Sequence, residues 1–123
     1  MEIGKTETKA FLFAMSDYNR FAILVALLKR DMCVNEIVKE TGIGQSNASH
    51  HLLCLTNCGF VTVKRKGKER VYKLNKEVRP IIRGMLSHIR EYKRNILSCN
   101  IANRDYVSKI ISDKSRQTNM TMR

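Results

Sequence analysis

The tripeptide Gly42-Ile43-Gly44 constrains this chain more than any other stretch. The segment EIVKET before it follows Asn35, a residue that caps helices well by accepting from the free N–H groups of a first turn. Gly42 stands where a helix can end in the left-handed conformation that glycine adopts without a steric cost. Ile43-Gly44 leaves room for a tight turn only. Beyond it, QSNASHHLLCLTNCGF, Gln45 to Phe60, opens with small polar residues, continues with apolar residues at helical spacing and ends at Gly59. Helix, short glycine-containing turn and second helix make a helix-turn-helix.

The flanks extend this motif. Lys5 to Met15 carries Ala10, Phe11, Phe13 and Ala14 and is expected to form a first helix. Ser16 or Asp17 can cap the next, YNRFAILVALLKR, which has Phe21, Leu24, Val25 and Leu28 at helical spacing. Lys29 and Arg30 close it, where the helix dipole favours cations. Asp31 to Val34 is short and extended. After Gly59 the period changes to two, in FVTVKR and again in VYKL, with KRKGKER and Gly67 between them. Two short strands around a charged glycine tip form a β-hairpin, and a hairpin after a helix-turn-helix is a winged helix. Asn75 is the expected cap of a long last helix, with Pro80 in its first turn. Val78, Ile81, Ile82, Met85, Ile89, Tyr92 and Ile96 then make one apolar stripe reaching to about Cys99. No later element is expected to cover that stripe, so it should pack on the first helix and on a second copy of the chain. The expected fold class is mainly α with a small β-hairpin wing, a winged helix-turn-helix dimerised through its terminal helices. Residues 1–102 form the DNA-binding and dimerisation domain, and 103–123 a polar tail.

Charge narrows the function. The 23 basic and 11 acidic residues leave a net charge of +12, which calls for a polyanionic partner, either nucleic acid or an anionic membrane surface. No apolar run is long enough to span a bilayer. The first residues lack the apolar core and small-residue cleavage site of a signal peptide, so a cytoplasmic, reducing location is expected.

On a helical wheel Ala48, Leu52 and Leu55 fall together and should face the core, whereas Ser46, His50 and Asn57 fall opposite, with Ser49 at one flank. Small polar side chains in the first half of a helix suit entry into a major groove. Gln45, Ser46, Asn47, Ser49 and His50 are therefore the candidates for base or phosphate contact on double-stranded DNA. At the wing, Lys64, Arg65, Lys66, Lys68 and Arg70 should meet phosphate, adding affinity and salt dependence rather than sequence discrimination.

The same helix carries Cys54 and Cys58, four apart and hence on one face. Soft thiolates select zinc, Cu(I) or heavier thiophilic ions. Two ligands are too few for a tight site, and Cys99, at the end of the last helix, can supply a third. Cys33 has no cysteine near it in sequence and is expected to be a small buried residue. His50, His51 and His88 lack a carboxylate partner at catalytic spacing and no phosphate-binding glycine loop occurs, so no enzymatic activity is expected.

Taken together, CVNEIVKETGIGQSNASHHLLCLTNCGFVTVKRKGKERVYKL resembles the ArsR/SmtB winged-helix metalloregulators, over roughly Ser16 to Cys99. The resemblance implies a homodimeric repressor that leaves its operator on binding an inducer. One inducer site of that family is a CVC pair before the helix-turn-helix; here Cys33 matches the first thiol and Asn35 replaces the second. Another uses an Asp and two His along the last helix; His88 and Cys99 keep the two His positions, but Leu86 stands in place of the Asp. The third, of the CmtR-type cadmium and lead sensors, uses two cysteines in the recognition helix and one near the C-terminus, and LLCLTNCGF matches it. The resemblance thus implies an inducer ion, cadmium or lead ahead of zinc or As(III), held by Cys54, Cys58 and Cys99. Two other readings remain at this level: an arsenite- or redox-sensing repressor using the same thiols, and a dimeric RNA-binding or interaction module with structural cysteines.

Overall fold

In the computed structural model, which describes residues 2–104, Gly42 adopts φ 76° and ψ 4°, and its N–H meets the Val38 carbonyl at 2.8 Å. That left-handed residue stops α3 (Val34–Thr41) and turns the chain into α4 (Gln45–Asn57). Ahead of them come α1 (Lys5–Met15), α2 (Tyr18–Lys29) and β1 (Met32–Cys33). Behind them follow β2 (Val61–Lys66), β3 (Glu69–Leu74), α5 (Arg79–Glu91) and α6 (Lys93–Ser98). The chain falls into two units, Met1–Gly84 and Met85–Arg123.

In the first unit, α2 is the hub. It packs against α1, α3, α4 and β3, and is thereby enclosed on more than one side. Its buried set is accordingly Ile23, Leu24, Ala26 and Leu27, broader than the expected stripe, and Phe21, Val25 and Leu28 are only half-buried. Ile37 of α3, Ala48, Leu52 and Leu55 of α4, Phe60, Met32, Leu74 and Ile82 complete the core. Each large side chain withdrawn from water here contributes roughly 1.5–3 kcal/mol. Asp17 caps α2 by accepting from the Arg20 N–H at 3.0 Å. At the other end, Arg79 donates to the Leu28 carbonyl at 3.2 Å and satisfies an orphan acceptor of the last turn.

The wing is antiparallel with strand order β1-β3-β2. Met32 faces Tyr72, and Val61 to Lys66 face Leu74 to Glu69 in unbroken register. Only Gly67 and Lys68 form the turn, so the strands run deeper into the charged segment than KRKGKER suggested. Gly67 has φ 67° and, among the described residues, no non-glycine residue has positive φ, the pattern of a type II′ turn, whose twist suits a hairpin.

Two expected caps are corrected. The start of α3 is Cys33, not Asn35: the Glu36 carboxylate accepts the Cys33 N–H at 3.1 Å, drawing the helix start back two residues. Asn75 does not cap α5. Its N–H bonds the Phe60 carbonyl at 3.0 Å and its side-chain amide donates to the Gly59 carbonyl, closing the base of the hairpin. The last helix is also not continuous to Cys99. Tyr92, at φ −108° and ψ 25°, separates α5 from α6. The apolar spacing runs through this break because one changed ψ does not alter a three-four period.

In the second unit, as far as it is described, His88 and Tyr92 stack with ring centroids 4.7 Å apart. The Asn103 amide donates to the carbonyls of Ile96, Leu97 and Cys99 at 3.1, 2.9 and 2.6 Å, gathering the end of α6. Most of the expected tail, from residue 105 onward, lies outside the described residues.

Gly42→Ala is expected to lower the free energy of unfolding by about 1 kcal/mol through backbone strain alone, since a Cβ there meets nothing within 4 Å. Urea titration measures it. A second expectation concerns acid. The Arg30 guanidinium at 2.5 Å, then the Cys33 N–H, hold the Glu36 carboxyl at about 2 against an ordinary 4.5. Its charge therefore stabilises the fold fully above about pH 4.5 and ceases to as pH falls through about 2. Glu36→Gln should remove that component from the pH dependence of the thermal midpoint, a small one because the pair is exposed.

Candidate nucleic-acid interface and thiol pair

The division of α4 follows from which side it buries. Ala48, Leu52 and Leu55 are fully enclosed, as their spacing predicts. Gln45, Ser46, Asn47, Ser49 and His50 are all exposed. Neither Gln45 nor Ser46 acts as a cap: the N-cap is Gly44, at φ −61° and ψ 151°, without a side-chain bond to the first turn. The first N–H groups of α4 and the positive end of its dipole are thus open to an anion. The reading side also displays Leu53, which is 60% exposed and lies three or four residues from Ser49, His50 and Asn57. Sequence reading passed over it because a leucine at helical spacing looks like core.

The register of the wing sorts its five cations. Directly opposed residues share a face, so Lys64 and Lys66 stand with Lys73 on one side, and Arg65 and Arg70 stand opposite one another on the other. Lys73 is an addition to the expected set, hidden by the alternation of VYKL. Like charges facing across a ladder repel, and no acidic side chain among the described residues forms an ion pair with either arginine. A cleft of about 260 Å3 lies between Cys33, Val34 and Asn35, Gln45 at the start of α4, and Lys68, Glu69 and Arg70 at the wing tip. Cys33 is therefore half-buried in a surface cleft rather than the small core residue expected, because its backbone serves β1 and the start of α3 at once.

At the other end of α4, Cys54 is half-buried and Cys58 exposed. Cys58 is the C-cap, its N–H on the Cys54 carbonyl at 2.9 Å. Burial, then the adjacent Cys54, pushes the Cys58 thiol up, against a weaker opposing pull from Arg20. The fold thus brings two of the three expected ligands together. Cys99 belongs to the second unit, where its sulfur accepts the Ala102 N–H at 3.4 Å. Among the described residues no three His, Cys, Asp or Glu side chains converge as a metal-holding group. The donor pair suits a thiophilic ion in kind, and within the first unit supplies two ligands.

Residues 17–63 match the family profile described as bacterial regulatory protein, arsR family. The chain is 37% identical over 65 residues to a probable mercury resistance operon repressor of Streptomyces lividans, covering 53% of this chain and 52% of that one. It is 38% identical over 61 residues to the HTH-type transcriptional regulator CmtR of Mycobacterium bovis, covering 50% and 52%. With the arsenical resistance operon repressor of Staphylococcus xylosus it shares 30% identity over 71 residues, 58% of this chain and 68% of that one. The chain thus spans about half the length of the first two of these relatives. In three dimensions it is similar to a homodimeric winged helix-turn-helix DNA-binding domain from Mycobacterium bovis, at TM-score 0.63 and 21% identity over 72% of this chain and 82% of that one. No helix among the described residues is long and apolar enough to cross a membrane.

The thiol pair has a direct chemical readout. With its thiol pushed up, Cys58 carries less thiolate near neutral pH than a free cysteine, so iodoacetamide should modify it more slowly than it modifies the same cysteine in urea. Cys54→Ser removes the second cause of the shift and should speed alkylation of Cys58 in the folded protein. Peptide mass spectrometry over a time course measures both rates.

Proposed function

Because the chain belongs to the ArsR family of bacterial regulatory proteins, we propose that it is a metal-responsive transcriptional repressor that holds double-stranded operator DNA as a homodimer and lets go when a thiophilic ion binds. Cadmium(II) or lead(II) is favoured as the inducer, and zinc(II) and As(III) share the required chemistry. The observation that carries this reading is the division of one helix: α4 exposes Gln45, Ser46, Asn47, Ser49 and His50 in its first half and places Cys54 beside Cys58 at its end.

The wing supports the DNA side. Arg65 faces Arg70 without acidic relief, an arrangement that a phosphate backbone would neutralise. Gln45, Ser46, Asn47, Ser49 and His50 enter the major groove. Lys64, Arg65, Lys66, Lys68, Arg70 and Lys73 lie along the flanking backbone. In the second unit Ile89, Tyr92 and Ile96 are 45%, 46% and 40% exposed, apolar side chains that support pairing through the terminal helices. Function in a cytoplasmic setting follows from reading DNA and from needing reduced thiols. DNA binding and dimerisation are assigned to residues 1–102, followed by a tail.

An ion at this site supplies a cross-link between thiolates. Cys54 and Cys58 give up their protons to hold it, which couples binding to pH. Cys99, from the same chain or the partner copy, completes the set. Tying the end of α4 in this way changes how its first half meets the groove, and the shift in DNA affinity equals the difference in ion affinity between the free and bound states.

A second reading of the inducer is mercury(II), which binds two thiolates linearly and needs no third. It is favoured by the adjacency of Cys54 and Cys58, which supplies both ligands within the first unit.

The test is titration of Cd(II) or Pb(II) into protein bound to a duplex selected from a random pool, followed by fluorescence anisotropy. Wild type should lose affinity by about tenfold or more, within the usual range of allosteric coupling, and Cys54→Ser should not respond. Equal release from both proteins would sink the thiol switch. Cys99→Ser separates the two inducers: it should abolish release by Cd(II) and preserve release by Hg(II).

A further inference from the structure

We propose that Arg20 and Asp17, by bracketing His51, fix the angle at which α4 presents its reading half, so that His51 is a positioning residue for DNA recognition. The inference rests on the repressor reading above and adds to it a part of the molecule that touches neither DNA nor ion.

The buried face of α4 is apolar and small: Ala48, Leu52 and Leu55. Apolar burial is non-directional, so it holds the helix against the core without fixing its rotation closely. Polar contacts are directional. Among the described residues, the side-chain hydrogen bond that reaches an α4 side chain from another element is that of Arg20 to His51, and the Asp17 carboxylate stands 4.0 Å from the same ring. Its side chain is only 13% exposed, although its neighbour His50 lies open to solvent.

Arg20 is itself immobilised. Its Nε donates to the Ala14 carbonyl at 2.7 Å and its Nη2 to the Phe13 carbonyl at 3.1 Å, capping the end of α1. Its guanidinium carbon also lies 5.8 Å from the centroid of the Phe13 ring. The remaining Nη1 stands 3.5 Å from His51 Nδ1. A cation donating there requires Nδ1 to be the unprotonated nitrogen, with the ring proton on Nε2. That nitrogen faces Asp17 Oδ1 at 4.0 Å. Asp17 is fixed in turn as the cap of α2, on the Arg20 N–H.

The imidazole thus accepts from a fixed donor at Nδ1, while the fixed Asp17 carboxylate, 4.0 Å from Nε2, lies beyond hydrogen-bond reach and bears on the ring through its charge alone. Rotation of α4 in one direction drives it into the guanidinium, and in the other separates it from Arg20. His51 directly follows the reading residues and precedes Cys54 by one helical turn, so the bracket sits between the two ends of α4 that the proposed function assigns to DNA and to ion. Through the Phe13 and Ala14 carbonyls it also ties α4 to α1, whose Leu12 and Phe13 are exposed apolar residues.

The experiment compares affinity for a duplex selected by the wild-type protein with affinity for random duplex, by anisotropy at fixed salt. His51→Leu, which fills the space and removes the ring nitrogens that face Arg20 and Asp17, should lower that ratio about tenfold, the cost of roughly one mismatched base pair. Its melting curve should stay cooperative and affinity for random duplex unchanged. His51→Asn, whose side-chain oxygen stands near the position of Nδ1, should restore the ratio to within about threefold of wild type. A purely structural role would instead lower the melting temperature and leave discrimination by the folded fraction intact. A folded His51→Leu protein with the wild-type ratio would overturn the proposal. Should His51→Leu not fold, Arg20→Lys decides, because it keeps the charge and loses the fork: a lowered ratio supports the bracket and an unchanged one refutes it. If wild type itself selects no duplex over random DNA, the repressor reading falls and this inference with it.

Discussion

The fold depends on one act of burial: α4 lays Ala48, Leu52 and Leu55 against the hydrophobic hub around α2. Three side chains on one side of a 13-residue helix leave most of its circumference free. What remains outside is therefore available for reading another molecule, and nothing in the core competes for it. The turn at Gly42 and the cap at Gly44 act upstream of this burial. They direct the helix to the hub while leaving its first N–H groups unengaged by side chains. A serine or aspartate at position 44 would steady the helix further and would occupy the end that a phosphate needs.

Electrostatics reinforce the same asymmetry. No charged or polar residue among the described ones is buried. The charge of the described residues is thus expressed at the surface, where salt screens it and a polyanion can exploit it. The wing concentrates this charge by its register. Alternation along β2 sends Lys64 and Lys66 to one side and Arg65 to the other, and β3 answers with Lys73 and Arg70. A hairpin that opposes Arg65 to Arg70 is less stable alone than one with a mixed pair. An anion lying between the two guanidiniums would offset that cost.

Much of this was legible in the chain because it is written in local periods. The helix-turn-helix, the buried triplet of α4, the wing and the exposed polar half of α4 all follow from spacings of two, three or four residues and from glycine. What escaped was set by partners distant in sequence or by a single dihedral. Cys33 displaced Asn35 as the start of α3 because Glu36, and behind it Arg30, captured its N–H. Asn75 was drawn to the end of the recognition segment instead of capping α5. The break at Tyr92 left the apolar stripe intact and so left no trace in it. Leu53 carried the helical spacing of a core residue, and only the direction in which α4 is laid down shows that it faces outward. For the thiols, the spacing of Cys54 and Cys58 announced their adjacency. The position of Cys99 depends on tertiary arrangement that no spacing encodes.

Arg20 is the case in which sequence says least and the fold says most. In the chain it is one cation among 23, early in a helix where a positive charge opposes the dipole. The fold turns that unfavourable placement to use. Two of its N–H groups satisfy the last carbonyls of α1, where positive charge is favoured, and a third is left to face α4. One guanidinium thereby joins three helices, which a lysine with a single ammonium could not do in one plane. Because Arg20 also acts on Cys58, the thiol end of α4 and its middle share a neighbour. α4 thus carries its exposed polar half and its thiol pair on one element, and Arg20 of α2 neighbours both its middle and its end.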